Sequence, residues 1–223
     1  MIDHKNKLLF IHVPKNAGTS IERAVFKDCD FNSQFDYKYL RGYSAEHKIN
    51  LQHATIEELL QHNFITEATL IDYNSFATVR NPFSRSISSY FWLLKDLKIE
   101  ESFKNFLLQQ GEFSDINLSR KDILVKDHMY TQSKFVMHNN SIGVKQLLRF
   151  ENLPKSFNDY TRNLGINNEL KSHYKKNKKK KLDVIKLLNK ENIGLIQKRY
   201  EEDFVNFDYN MNFNKLKYFI SNG

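Results

Sequence analysis

An apolar run that ends in a loop and passes at once into a helix constrains this chain more than any other feature. Lys7-Leu8-Leu9-Phe10-Ile11-His12-Val13 predicts a short buried strand, and Pro14 to Gly18 interrupt it. Ser20-Ile21-Glu22-Arg23-Ala24-Val25-Phe26 then predicts a helix, with Thr19 or Ser20 as its cap. The same grammar recurs. Phe76-Ala77-Thr78-Val79 predicts a second core strand, broken at Asn81-Pro82. Ser84 to Leu97 follows as a helix, with Ile87, Tyr90, Phe91 and Leu94 on one face. Val144 to Phe150 predicts a third strand, and Asn152 to Leu164 a helix with Pro154 in its first turn and Gly165 at its end. Thr55 followed by Glu58 marks another helix start, Asp127 to Met137 and Ile193 to Phe204 read as helical, and Asp30 to Asn50 reads as irregular. Strands alternating with helices predict an α/β fold, one domain over 1–223, with a mainly parallel central sheet flanked by helices. Ligands in such sheets bind at the carboxyl ends of the strands.

Composition removes several classes. One cysteine, Cys29, cannot form an intramolecular disulfide, so a disulfide framework is excluded. No run of apolar residues is long enough to span a membrane. The first residues, Met1-Ile2-Asp3-His4-Lys5, lack the basic-then-apolar layout of a signal peptide, which leads to the expectation of a soluble, cytoplasmic protein. The formal net charge of +8 favours anionic ligands. Much of it sits in Lys171, Lys175, Lys176, Lys178, Lys179, Lys180 and Lys181, with no acid between them. The expectation there is a solvated loop that can still attract a polyanion.

Two loops carry the chemistry. The first, His12-Val13-Pro14-Lys15-Asn16-Ala17-Gly18-Thr19-Ser20, joins a strand to a helix. Gly18 allows close backbone approach, the helix start offers free N–H groups, Thr19 and Ser20 add hydroxyls, and Lys15 adds a charge. The result is an anion cradle. It is not a Walker A motif, because the lysine precedes the glycine, and no GxGxxG is present. No carboxylate suited to Mg²⁺ stands out nearby, so no metal is expected. The second loop follows the second strand as Arg80-Asn81-Pro82-Phe83-Ser84-Arg85-Ser86-Ile87-Ser88. An arginine fork and a helix hydroxyl, Arg80 and Ser88, can grip one phosphate together. Arg85 reads as a structural ion-pair partner, and Ser86 and Ser89 as packing residues. Two phosphate-gripping loops without a metal motif suggest a nucleotide with phosphate at both ends.

The pair PKNAGTS and VRNPFSRSISSYF resembles the two cofactor loops of sulfotransferases, and is nearest to the carbohydrate branch that includes heparan sulfate 2-O-sulfotransferase. Gln132, then Leu148-Arg149-Phe150-Glu151-Asn152-Leu153, then Tyr200-Glu201-Glu202-Asp203-Phe204, follow the order of that branch. The resemblance implies 3′-phosphoadenosine-5′-phosphosulfate (PAPS) as cofactor. It implies that Lys15, Asn16, Ala17, Gly18, Thr19 and Ser20 form the phosphosulfate loop, and that Arg80 and Ser88 hold the 3′ phosphate. Asn16 departs from the family, which often carries threonine there.

Sulfuryl transfer to a hydroxyl needs a proton acceptor and a stabilised leaving group, and Lys15 suits the leaving side. Histidine suits the base role. His53, in Leu51-Gln52-His53-Ala54-Thr55, lies between the two loops, where the related enzymes place a catalytic histidine; His47 and Glu46 are the alternatives. His12, on the first strand, reads as a core or supporting residue. The acceptor implied is a carbohydrate or glycolipid hydroxyl, anionic if the lysine run serves it, with no nucleic-acid partner. Two other readings remain: a nucleotide kinase with a variant phosphate loop, and a non-catalytic polyanion-binding protein driven by the lysine run.

Overall fold

A computed structural model describes residues 1–32, 35–114, 119–120, 123–166, 168–171, 184 and 186–213. The fold is mixed α/β around a central, mostly parallel sheet, as the alternating pattern predicts. The described residues group into two compact units, Met1–Val79 with Gln132–Lys175, and Arg80–Thr131 with Lys176–Gly223. The lysine run falls outside the described residues except for Lys171, which is exposed. Among the described residues no helix is long and apolar enough to cross a membrane.

The first unit holds the sheet. Strands β1 (Ile2–Asp3), β2 (Leu8–Ile11), β6 (Asn74–Val79) and β11 (Gln146–Arg149) lie in the order β1-β2-β6-β11. β1 is antiparallel to β2, whereas β6 pairs in parallel with both neighbours, Phe10 opposite Phe76 and Leu148 opposite Thr78. Every side chain of β2 is buried, because the strand is covered on both faces. Helices α1 (Gly18–Val25) and α7 (Lys155–Asn163) supply Ile21, Val25 and Phe157 to a core with Leu8, Phe10, Phe76 and Leu148. Burying each such side chain contributes about 1.5–3 kcal/mol.

Residues 30–50 depart from the irregular reading. They contain a three-stranded antiparallel sheet, β3 (Phe35–Asp36), β4 (Arg41–Ser44) and β5 (Ile49–Asn50). Strands of two to four residues are too short to show the alternation that identifies them. A 3₁₀ turn, Leu51–His53, leads into α2 (Ile56–Gln61). The capping box at α2 forms as the sequence predicts: the Glu58 N–H donates to the Thr55 hydroxyl at 3.0 Å, and the Thr55 N–H to the Glu58 carboxylate at 2.8 Å. Helix α3 (Glu67–Asp72) begins on a similar box made by Thr66 and Thr69.

The second unit is built on α4 (Pro82–Leu97), which starts two residues before Ser84. Pro82 fits the first helical position, and Asn81 caps the helix by accepting the Phe83 N–H at 3.0 Å. Its apolar face, Phe83, Ile87, Tyr90 and Leu93, packs with Phe103 and Phe106 of α5 (Phe103–Leu108) and with Phe113. Ile196 of α8 (Lys190–Arg199), Tyr200 and Phe204 of α9 (Glu201–Asn206) join the same core. A short strand pair, β7 (Ser119–Arg120) with β8 (Ile123–Leu124), also belongs to this unit.

Two predicted helices are divided. The last helix breaks at Tyr200, whose φ of −113° leaves the helical region, into α8 and α9. Over 127–137 the chain forms a 3₁₀ turn (Lys126–Met129), the short helix α6 (Ser133–Val136), and then β9 (Met137–His138), which pairs with β10 (Ser141–Ile142). Two arginines, Arg85 buried and Arg199 half-buried, explain the break. Arg199 donates to the Met129 carbonyl at 2.9 Å and Arg85 to the Tyr130 carbonyl at 2.8 Å, taking acceptors that a continuous helix would use.

On the surface of the first unit His138 joins three elements. Its Nδ1 lies 2.7 Å from Glu57 of α2, and its Nε2 3.1 Å from Glu67 of α3. The bond to Glu57, reinforced by the Glu67 charge, raises its pKa above the ordinary 6.5. Stability from this contact is therefore fully present below the unfolded-state value and is lost as pH rises through the higher folded-state value. Thermal melts of wild type and His138→Gln across that range should show wild type melting higher at the acid end, with the gap closing as pH rises. A gap independent of pH would mean that the imidazolium contributes nothing.

Candidate active site

The first loop leaves β2 at its carboxyl end, as the sequence predicts. Its backbone is unusual: Lys15 has φ +72° and Ala17 φ +68°, both in the left-handed region. Each non-glycine residue held there costs on the order of 1–3 kcal/mol, and such strain collects in ligand-binding loops. The helix cap differs from expectation. Helix α1 begins at Gly18, and its N-cap is Ala17, which offers no side-chain acceptor. Ala17 instead accepts from the N–H groups of Ser20 and Ile21 through its carbonyl, at 2.9 and 3.2 Å. Neither Thr19 nor Ser20 caps the helix, so the first turn keeps its positive end for a bound anion.

Asn16 is fully buried, and its side chain works inside the fold. Its Nδ2 donates to the Thr78 carbonyl at 2.8 Å and to the Gln132 Oε1 at 2.7 Å. With both amide hydrogens so engaged, what Asn16 can offer an anion is its main-chain N–H. Lys15, Ala17 and Thr19 are half-buried, and Gly18 and Ser20 are buried.

Gly18 packs directly on His12. A Cβ placed on Gly18 would lie 1.8 Å from His12 Nε2, so only glycine fits with the ring in this place. His12 itself is 4% exposed, and its Nδ1 lies 2.6 Å from Glu22 Oε1. Glu22, one helical turn beyond Gly18 on α1, is 1% exposed. Burial pushes its carboxyl up, but the charge and hydrogen bond of His12, with Gln52, hold it below its ordinary value overall. Gln52 Nε2 reaches both Glu22 oxygens at 2.8 Å. His53 follows Gln52 in the same 3₁₀ turn, and its ring centroid lies 4.4 Å from that of His12. His12 thus contacts both Gly18 and the His53 ring.

The other base candidates lie elsewhere in the first unit. His47 stacks on His62 with centroids 5.0 Å apart and meets Phe64 edge-on at 4.9 Å. Glu46 is exposed and accepts from the Tyr37 hydroxyl at 3.3 Å. None of these contacts is with a residue of the first loop.

In the second unit Arg80 is half-buried, and its Nε donates to the Ser84 hydroxyl at 2.8 Å. Ser84 in turn donates to the Asn81 carbonyl at 3.1 Å. Ser84 and Ser88 are one turn apart on α4 and share a face, and Ser88 is half-buried between buried neighbours. Sequence reasoning named the outer pair and missed Ser84, although its i+4 spacing from both was visible. Glu22 and Gln52 were also missed. Glu22 stands four residues from Gly18, and Gln52 beside His53, but neither spacing announces a shared hydrogen bond. Arg85 is buried, consistent with its structural reading, and burial lowers its pKa from the usual arginine value. Ser86 donates to the Phe83 carbonyl at 3.0 Å, and Ser89 is fully buried.

A family model described as the sulfotransferase family matches residues 1–210, and the chain belongs to that family. No curated protein and no solved structure matches the chain. Family membership makes sulfuryl transfer to an acceptor the class of reaction.

Gly18→Ala tests the packing at the cradle. The added methyl must push His12 aside, and overpacking of this kind costs about 1–3 kcal/mol. A lower melting temperature should follow and, on the cofactor reading proposed below, weaker binding of adenosine 3′,5′-bisphosphate (PAP). Unchanged values for both would show that His12 can move without consequence.

Proposed function

We propose that this protein transfers a sulfuryl group from PAPS to a hydroxyl of a carbohydrate or glycolipid. The observation that carries the proposal is the left-handed loop without a side-chain cap at the start of α1, with His12 packed on both Gly18 and the His53 ring. Bound PAPS would supply the sulfuryl group and a phosphate as its leaving group. The main-chain N–H groups of Gly18 and Thr19, with the Ser20 hydroxyl, suit the 5′ phosphate. Lys15 suits the oxygen that gains charge on the leaving side. Arg80, held by Ser84, and Ser88 suit the 3′ phosphate. His53 serves as the general base that takes the acceptor proton.

Family membership favours this reading over a nucleotide kinase or a polyanion-binding protein. The likeness to the heparan sulfate 2-O-sulfotransferase branch, and the basic run from Lys171 to Lys181, support an anionic glycan as the acceptor class.

Two substitutions separate the roles. Arg80→Ala should cost on the order of 2–3 kcal/mol in PAP affinity, the range for a charge-assisted fork. Calorimetry with adenosine 5′-phosphate, which lacks the 3′ group, should show a far smaller loss. Equal losses would remove Arg80 from the 3′ phosphate. His53→Ala should keep PAP binding and lower turnover by roughly 10²–10⁴-fold, as expected for a lost general base. Turnover near wild type would move the base to His47 or Glu46.

A further inference from the structure

The first unit contains a buried carboxylate that the reaction as proposed leaves without a role. Glu22 is 1% exposed and stands in the second turn of α1, the helix whose first turn forms the anion cradle. It accepts from two directions. His12 Nδ1 reaches one oxygen at 2.6 Å, and Gln52 Nε2 reaches both at 2.8 Å. His12 in turn packs on Gly18 and on the His53 ring. Gln52 directly precedes His53 in the three-residue 3₁₀ turn.

We propose that Glu22 is a positioning residue that holds His53 at a fixed place relative to the first turn of α1. This rests on the reading of His53 as the base. Glu22 acts along two routes. Through Gln52 it fastens the backbone turn that carries His53. Through His12 it sets the ring against which His53 packs. A carboxylate suits the task better than an amide would. It accepts from both partners at once, where an amide oxygen would serve one fully and turn its own N–H₂ toward the other. Charge-assisted bonds to a buried group are also short and directional, which keeps the three side chains in one geometry.

Such a device matters for turnover more than for binding. The cradle can bind PAP with its own N–H groups wherever His53 lies, whereas proton removal depends on the place of the imidazole. A displacement of about 1 Å can cost on the order of 10²-fold in rate.

Gln52→Ala and Glu22→Gln test the proposal, alone and combined with His53→Ala, in the full chain. Gln52 is half-buried, so its truncation keeps the experiment informative if the Glu22 variant folds poorly. PAP affinity is measured by calorimetry, and turnover as PAP released from PAPS with heparan sulfate offered as acceptor and, in parallel, with water alone. Long-range ¹H–¹⁵N spectra of histidine-labelled protein report the imidazoles without any turnover. Gln52→Ala is expected to lower PAP release at least about tenfold, to leave PAP affinity within about threefold, and to shift the His53 ring resonances. In the His53→Ala background it should lower the rate no further, because there is no base left to position. The same loss in both backgrounds, unmoved His53 resonances, or a loss of PAP affinity equal to the loss of rate would each overturn the proposal while leaving His53 as the base. A His53→Ala enzyme with wild-type turnover would instead remove the base assignment, and the positioning role with it.

Discussion

The parallel pairing of β2 with β6 is the constraint from which the rest of the first unit follows. Parallel strands must be joined by a crossover, so the chain leaves β2 at its carboxyl end, turns through the first loop and enters α1. That single connection creates the cradle, because it places a helix start where strand carboxyl ends gather. The register also sets Phe10 against Phe76 and so fixes the height of the loop above the core. Asn16 then fastens the loop to the end of β6 through the Thr78 carbonyl. Two residues beyond Thr78 in sequence comes Arg80.

Strain and polarity within the loop support one another. Lys15 and Ala17 adopt left-handed conformations that a free chain would avoid. What holds them is a set of buried polar contacts around them: the Asn16 amide on one side, and His12 with Glu22 beneath Gly18. Removing one member of a buried hydrogen-bonded charge pair costs about 3–5 kcal/mol, because the other is left uncompensated. The loop is therefore held in the conformation that the proposed anion site requires. A preorganised cradle of this kind avoids ordering its own backbone on binding.

Legibility in the sequence followed range. β2, β6 and β11 were visible as apolar runs, and α4 and α7 as apolar periodicity with proline or glycine at the ends. The start of α2 was visible because the reciprocal bonds of Thr55 and Glu58 lie within three residues of sequence. The β3–β5 sheet was not, since its strands are shorter than the period that reveals them. The division of the 127–137 segment depends on Arg85 and Arg199, far away in sequence, taking its carbonyls. At the site the same division holds. Lys15, Gly18, Arg80 and Ser88 were named from local motifs and spacing. Glu22 was read only as part of a helix, and nothing local says that its carboxylate meets Gln52, 30 residues later.

Asn16 shows most clearly why a motif understates its own residues. In the family's loop the position often holds threonine, and a sequence reading treats the exchange as one small donor for another. The fold asks for more. Two acceptors converge on Asn16, the Thr78 carbonyl and an amide oxygen from Gln132, 116 residues further along the chain. A threonine hydroxyl has one hydrogen to give and would leave one of them unserved, whereas the asparagine amide has two. An unserved acceptor in so buried a place costs about 1–3 kcal/mol, comparable to the strain in either left-handed residue beside it. Asparagine at 16 and glutamine at 132 are therefore a matched pair. Gln132 sits at the entrance to α6, where no capping rule calls for it, and its identity is explained by the loop at the opposite end of the sequence. The shape of the first loop thus draws on a side chain from far along the sequence, and the match is set by hydrogen-bond arithmetic rather than by the motif.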